Sequence, residues 1–181
     1  MIKAKVNSMK TVLKIVGILV LIFVAVGLLL DNSIDVKRQI TINAAPQDIH
    51  PFVSDLEKWP LWTPWQEMDP TTKTVMGSVH EGVGASQTWT ADSGPGELTI
   101  VESSPEKGIT FDLIFDGSPV AFKSNIKYDW DGKATTVTWR MTGKMEPIIV
   151  GNYFAQLMDM FIGPSYEEGL QALKKLAEES A

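Results

Sequence analysis

Hydrophobic residues crowd the start of the chain, where Val12–Leu30 reads VLKIVGILVLIFVAVGLLL with Lys14 as its only charge. At a rise of about 1.5 Å per residue this run makes a helix of about 28 Å, matching the roughly 30 Å hydrocarbon core of a bilayer. Lys14 lies near the edge of the run, where its stem lets the ammonium reach the headgroups. Gly17 and Gly27 are tolerated in a membrane helix. A cleaved signal peptide is the competing reading, with Ala25-Val26-Gly27 as a cleavage site. The apolar run continues through Leu28, Leu29 and Leu30, which favours an uncleaved anchor.

Beyond the run the pattern changes to alternation. Ser33–Asn43 sets Ile34, Val36, Ile40 and Ile42 against Asp35, Lys37, Gln39 and Thr41, with only Arg38 breaking the apolar series. That period of two predicts a half-buried strand. Pro46 then opens a helical segment with Ile49, Phe52, Val53 and Leu56 at helical spacing. Pro51 predicts a kink, or a regular helix that starts only near His50. Trp59–Trp65 is an aromatic and proline turn.

From Lys73 the chain reads as successive antiparallel strands. Gly84–Ala91 alternates Ala85, Gln87 and Trp89 against Ser86, Thr88 and Thr90. Glu97–Glu102 turns Leu98 and Ile100 one way, and Ile109–Phe115 does the same with Ile109, Phe111, Leu113 and Phe115. Val120–Trp130 follows, then a hairpin at Asp131-Gly132 and a returning strand, Thr135–Thr142, with Val137, Trp139 and Met141 inward. Asp116-Gly117 and Gly94-Pro95-Gly96 mark other turns. The chain closes on a helix from about Gly151 to Glu179. Phe154, Leu157, Met158, Phe161 and Ile162 form one apolar stripe, continued by Leu170, Leu173, Leu176 and Ala177. Gly163-Pro164 should kink or briefly interrupt this helix, and Ser165 with Glu168 has the spacing of a capping box that restarts it.

This order of elements implies an α+β domain in which a curved antiparallel sheet wraps around the long C-terminal helix. The organisation is a basic segment (1–11), a transmembrane helix (12–30) and one domain (31–181). Charge adds an orientation. The chain carries −6 overall, and four of its positive charges, Lys3, Lys5, Lys10 and Lys14, precede Asp31, which leaves −10 on residues 31–181. The positive-inside rule places the N-terminus in the cytoplasm and the domain outside it. So acidic a domain repels phosphate backbones, which argues against nucleic-acid binding.

The residues resemble the polyketide cyclase/dehydrase-like branch of the START-like (SRPBCC, helix-grip) superfamily, from about Ile34 to Leu176. The resemblance rests on Ile40-Thr41-Ile42-Asn43-Ala44-Ala45-Pro46, on Asp55-Leu56-Glu57-Lys58-Trp59-Pro60 with Trp62 and Pro64-Trp65, and on Gly82-Val83-Gly84 before Trp89. Glu102-Ser103-Ser104-Pro105, Thr136-Val137-Thr138-Trp139, and Gly163-Pro164 with Tyr166-Glu167-Glu168-Gly169-Leu170 and Leu173 extend it. Pro51 departs from the family's usual helix-compatible residue. The resemblance implies a cavity for an apolar ligand between sheet and C-terminal helix. It implies no particular reaction, because the superfamily spans carriers, receptors and cyclases.

Alternation turns Gln87, Trp89, Phe111, Phe115, Phe122, Ser124, Tyr128, Trp139 and Met141 toward that interior. Trp65 from the aromatic turn, and Met158 and Phe161 from the helix, complete the expected pocket lining. Core packing is the plainer role for the same aromatic and Met residues. Trp59, Trp62 and Trp65 suit a structural staple better than a lid. Chemistry is sparse. Cysteine is absent, which removes disulfides and thiolate sites. His50 and His80 have no ligand neighbours at zinc spacing, and His80-Glu81 lacks the second His of H-E-x-x-H because Gly84 stands there.

The expectation is therefore a membrane-tethered, non-catalytic binding domain for a lipid-like or other apolar small molecule, without a cofactor. The alternatives are a cyclase- or dehydratase-like enzyme in which Gln87, Tyr128 or His50 polarises a substrate, and an interaction module with a closed core. A cavity well under roughly 300 Å³ would favour the last.

Overall fold

The computed structural model describes residues 2–115 and 122–180, with side chains from residue 12 onward. The expected turn at Asp116-Gly117 and the strand start at Val120 lie outside the described residues. The chain divides into two compact units, Met1–Ser33 with Lys144–Leu157, and Ile34–Gly143 with Met158–Ala181.

The first unit is built on helix α1 (Ile2–Leu29), long and apolar enough to cross a membrane. Among Val12–Leu29 only Gly27 is buried, so this is not the core helix of a water-soluble fold. The unit also contains residues 144–157, which include the first turns of the C-terminal helix.

The second unit holds most of an antiparallel seven-stranded sheet. Its strands are β1 (Ser33–Ile42), β2 (Lys73–Met76), β3 (Ser86–Thr90), β4 (Gly96–Ser104), β5 (Gly108–Phe115), β6 (Phe122–Trp130) and β7 (Thr135–Lys144). They lie in the order β1-β7-β6-β5-β4-β3-β2. Every connection from β2 to β7 joins neighbours, as hairpin-linked alternating strands dictate. The ladder between β4 and β5 slips between Ile100 and Glu102, a bulge that bends the strand and deepens the sheet's curvature. Inward positions of alternating strands make the core: Ile34, Val36 and Ile42 of β1, Ile100 of β4, Ile109 and Phe111 of β5, Ile126 of β6, and Val137 and Trp139 of β7. From α4 (Val150–Ser180), Tyr166, Leu170, Leu173 and Ala177 cover this face at helical spacing.

Three local expectations are corrected. Helix α2 (Pro46–Val53) starts at Pro46 and contains Pro51 without a break. The missing N–H of Pro51 falls near the end of a short helix, where a single lost bond is tolerated. The segment beyond is a 3₁₀ turn (Leu56–Leu61), capped by the Asp55 carboxylate, which accepts from Glu57 N. The second correction concerns α4, which runs through Gly163-Pro164 as one helix, so the expected interruption there is absent. Arg38, the residue that breaks the alternation of β1, bridges Asp159 (2.7 Å) and Glu167 (2.5 Å), one turn on either side of that pair. A Cβ at position 163 would stand 1.9 Å from the Arg38 guanidinium. Glycine there lets the guanidinium lie across the helix and clamp it where Pro164 withdraws a backbone bond. Accordingly Ser165 is not a cap. Its buried hydroxyl donates to the sulfur of Met68 (3.0 Å).

The third correction is the phase of α4. Phe154, Leu157 and Phe161 of the expected inward stripe are exposed, and within the second unit the helix turns Ile162 and Tyr166 toward the sheet instead of Phe161.

Candidate functional site

A cavity of about 360 Å³ opens on the concave face of the sheet within the second unit. Its walls follow from cross-strand register. Gln87 pairs with Leu98 and Leu98 with Leu113, giving one row of side chains across β3, β4 and β5. Trp89 pairs with Gly96 and Gly96 with Phe115, giving the next. A Cβ on Gly96 would lie 2.1 Å from the Trp89 indole, so glycine at this position lets the ring fold over its neighbouring strand. Phe111, Trp139 and Met141 continue the wall. Trp59, the single-turn helix α3 (Trp65–Met68), and Ile162 and Tyr166 of α4 close the other side.

One end of the cavity is a rigid aromatic block. Tyr166 stacks on Trp139 with centroids 3.9 Å apart, and Trp65 meets both rings edge-on at 5.7 and 6.2 Å. Trp59 packs edge-on against Phe111 at 5.4 Å. Indole hydrogen bonds fix this block. Trp59 Nε1 donates to the Val53 carbonyl and Trp62 Nε1 to that of Phe52, both at 3.0 Å, satisfying carbonyls at the end of α2. Trp59 and Trp62 are thus a buried staple, Trp59 also reaching the cavity, while Trp65 is half-buried at the cavity wall. Burial pushes the Tyr166 hydroxyl well above its ordinary pKa, so it stays neutral.

Polar groups sit at the rim: Gln87, Thr72, Thr74, Ser93 and Asp69. Asp69 accepts from Thr71 N (3.0 Å), from the Thr71 hydroxyl and from Ser93 N (3.1 Å). Those bonds, led by the Thr71 hydroxyl, pull its carboxyl down to about 2. They also tie the loop after α3 to the loop after β3, so this carboxylate braces the cavity mouth.

Of the residues expected to line a pocket, Trp65, Gln87, Trp89, Phe111, Phe115, Trp139 and Met141 line this cavity. The remaining ones do not. Phe122 continues the row of Leu113 but is one strand further on, buried against Phe115 (5.6 Å) and against the bare backbone of Gly143. Ser124 is fully buried beneath Trp139. It accepts from the indole N–H (3.3 Å) and donates to the Arg140 carbonyl (3.0 Å). Tyr128 belongs to a separate polar cluster, with His50 Nδ1 3.4 Å from its hydroxyl and His50 Nε2 3.1 Å from that of Ser103. Met158 and Phe161 miss because α4 turns Ile162 and Tyr166 inward instead. Gln87 is thereby separated from His50 and Tyr128, and those three do not form a common site.

Lining residues that were not singled out include Leu98, Leu113, Met68, Thr74, Ile162 and Tyr166. Leu98 and Leu113 stand on the same inward faces that single out Phe111 and Phe115, so alternation carried their signal. For Thr74 and Met68 no such signal exists, because both depend on tertiary placement.

His80 is also corrected. The bridge between Asp55 and Glu81 brings His80 Nδ1 to 3.3 Å from Asp55 and 3.9 Å from Glu57. Asp55 already caps the 3₁₀ turn and lies 3.4 Å from the Lys58 ammonium, and Glu57 is exposed. This arrangement is a loop clasp.

Residues 33–178 match the family model described as polyketide cyclase/dehydrase and lipid transport. No curated protein matches the sequence. Several solved structures share the fold. The KanY protein is 17% identical over 81% of this chain and 98% of its own, with a TM-score of 0.60. Norcoclaurine synthase from Thalictrum flavum, solved with dopamine and hydroxybenzaldehyde, is 15% identical over 86% of this chain and 92% of its own, with a TM-score of 0.60. The di-domain ARO/CYC protein StfQ of the steffimycin biosynthetic pathway is 13% identical with a TM-score of 0.62, and the match takes 82% of this chain and 52% of that one.

Proposed function

Because the chain belongs to the polyketide cyclase/dehydrase and lipid transport family, we propose that it is a membrane-tethered domain that holds a lipid-like or other apolar small molecule in the cavity between sheet and C-terminal helix. The observation that carries this reading is the cavity itself, about 360 Å³ and walled by Trp65, Trp89, Leu98, Phe111, Leu113 and Met141. That volume falls within the roughly 300–1,000 Å³ of small-molecule sites, and the mixture of apolar walls with a few rim polar groups is their usual chemistry. Helix α1 supports the tether: an apolar segment of membrane-spanning length stands directly before β1. In that arrangement the domain lies outside the cytoplasm and its ligand is taken from the adjacent leaflet.

Binding is favoured over catalysis by the state of the polar groups. Asp69 is committed to the loops it braces, Tyr166 is held neutral, and Gln87 has neither histidine beside it. Interaction through a closed core is disfavoured by the cavity's size.

Delipidated full-length chain titrated with a fluorescent fatty acid should show saturable binding of one ligand per chain. Leu98→Phe combined with Leu113→Phe fills the cavity and should weaken binding at least tenfold. Uptake that rises linearly without saturation, or equal affinity in the filled variant, would contradict the proposal.

A further inference from the structure

The first unit carries a second apolar feature. Side chains from the opening turns of α4 are seated on the end of α1. Asn152 Nδ2 donates to the carbonyls of Gly27 (2.7 Å) and Leu30 (2.8 Å), and Gln156 Nε2 to that of Asp31 (2.9 Å). The Tyr153 hydroxyl donates to the Phe23 carbonyl (2.7 Å), and its ring stacks on Phe23 with centroids 4.5 Å apart and planes 9° from parallel. Gly27 makes the approach possible, since a Cβ there would lie 2.7 Å from Ile149 Cγ2. Ile149 itself has φ of 85°, a left-handed conformation that costs a β-branched residue about 1–3 kcal/mol and persists only where packing holds it.

These bonds fix a depth. The last carbonyls of a helix need donors, and a helix ending among acyl chains cannot rely on water for them. Here α4 supplies the donors. With α1 spanning the bilayer, the Phe23 carbonyl lies about 10 Å below Leu30 along the helix axis. Residues docked between Phe23 and Leu30 are therefore level with the outer end of the hydrocarbon. At this level the same segment presents Ile148 (60% exposed), Val150 (45%), Phe154 (51%) and Leu157 (40%), each left open over much of its surface by the described residues. From Pro147 to Met158 the sequence contains no charged residue. An apolar, uncharged surface carrying a Tyr at its edge matches the headgroup–acyl boundary.

We propose that residues 147–157 form a membrane wedge, with Ile148, Val150, Phe154 and Leu157 inserted among the acyl chains of the leaflet in which α1 ends. The wedge rests on the reading of α1 as a retained anchor. It gives the chain a second, shallower hold on the bilayer.

The absence of cysteine makes site-directed spin labelling direct. Val150→Cys, Phe154→Cys and Leu157→Cys, each nitroxide-labelled in the full chain, are compared in phosphatidylcholine/phosphatidylglycerol vesicles by power saturation with oxygen and with a nickel chelate. Ile22→Cys reports the anchor and Lys175→Cys the aqueous face. The wedge predicts an oxygen-to-nickel accessibility ratio at positions 150, 154 and 157 several-fold above that at 175 and approaching that at 22. Nickel-dominated access at 150, 154 and 157, with position 22 still oxygen-dominated, would overturn the wedge and leave the anchor standing. Nickel-dominated access at position 22 would overturn both.

Discussion

His50 is buried, with its ring nitrogens facing the hydroxyls of Tyr128 and Ser103. Burial lowers its pKa against the weaker opposing pull of Glu81 and Glu106. A histidine whose folded pKa is depressed stabilises the fold above its unfolded value of about 6.5. As pH falls below that value the unfolded chain takes up the proton first, and the contribution is lost on the way down to the folded pKa. Urea midpoints should therefore fall between about pH 8 and about pH 5.5, and the fall should be smaller in His50→Gln. Identical pH profiles for the two proteins would contradict this assignment. At the same scale Ser124 shows what alternation reveals and what it leaves out. Period two correctly turned its side chain inward, where it accepts the Trp139 indole N–H and donates to a backbone carbonyl. Facing the interior and lining the cavity are different properties, and only the packing of the larger Trp139 separates them.

Among the elements, α4 tests the balance between local propensity and tertiary contact. Gly163-Pro164 reads as a kink or brief interruption, yet the helix continues where Arg38 joins Asp159 to Glu167 across it. Both ion pairs are partly exposed and each contributes at most about 1 kcal/mol. Gly163→Ala should gain about 1 kcal/mol of helix propensity but displaces the guanidinium that lies over the glycine. The substitution should accordingly be neutral or destabilising in the native background and stabilising by about 1 kcal/mol when Arg38→Ala is also present. Chemical denaturation of the four chains in this cycle measures the coupling, and additive effects would rule out the clamp. The strands were legible because one wet face and one dry face impose a two-residue period. The phase of α4 was not. Phe154, Leu157 and Phe161 are as apolar as Leu170 and Leu173, and hydrophobicity does not distinguish a face meant for a sheet from one left uncovered by protein.

For the whole molecule, the sequence carried the α+β architecture, the long C-terminal helix and the apolar N-terminal helix, since each is written in periodicity over many residues. The cavity was legible only as an implication of family resemblance. Its volume depends on Gly96 making room for Trp89, on the loops braced by Asp69 and on Tyr166 stacking against Trp139. None of these contacts leaves a periodic trace. The central claim is that this space takes an apolar chain, and tryptophan emission reads it out: Trp59, Trp65, Trp89 and Trp139 line the cavity, Trp130 does not, and α1 contains no tryptophan. Delipidated full-length protein titrated with a brominated fatty acid should lose part of its emission saturably, at one ligand per chain, while its unbrominated counterpart quenches nothing and competes. Quenching that grows without saturation, or none at all, would contradict the account.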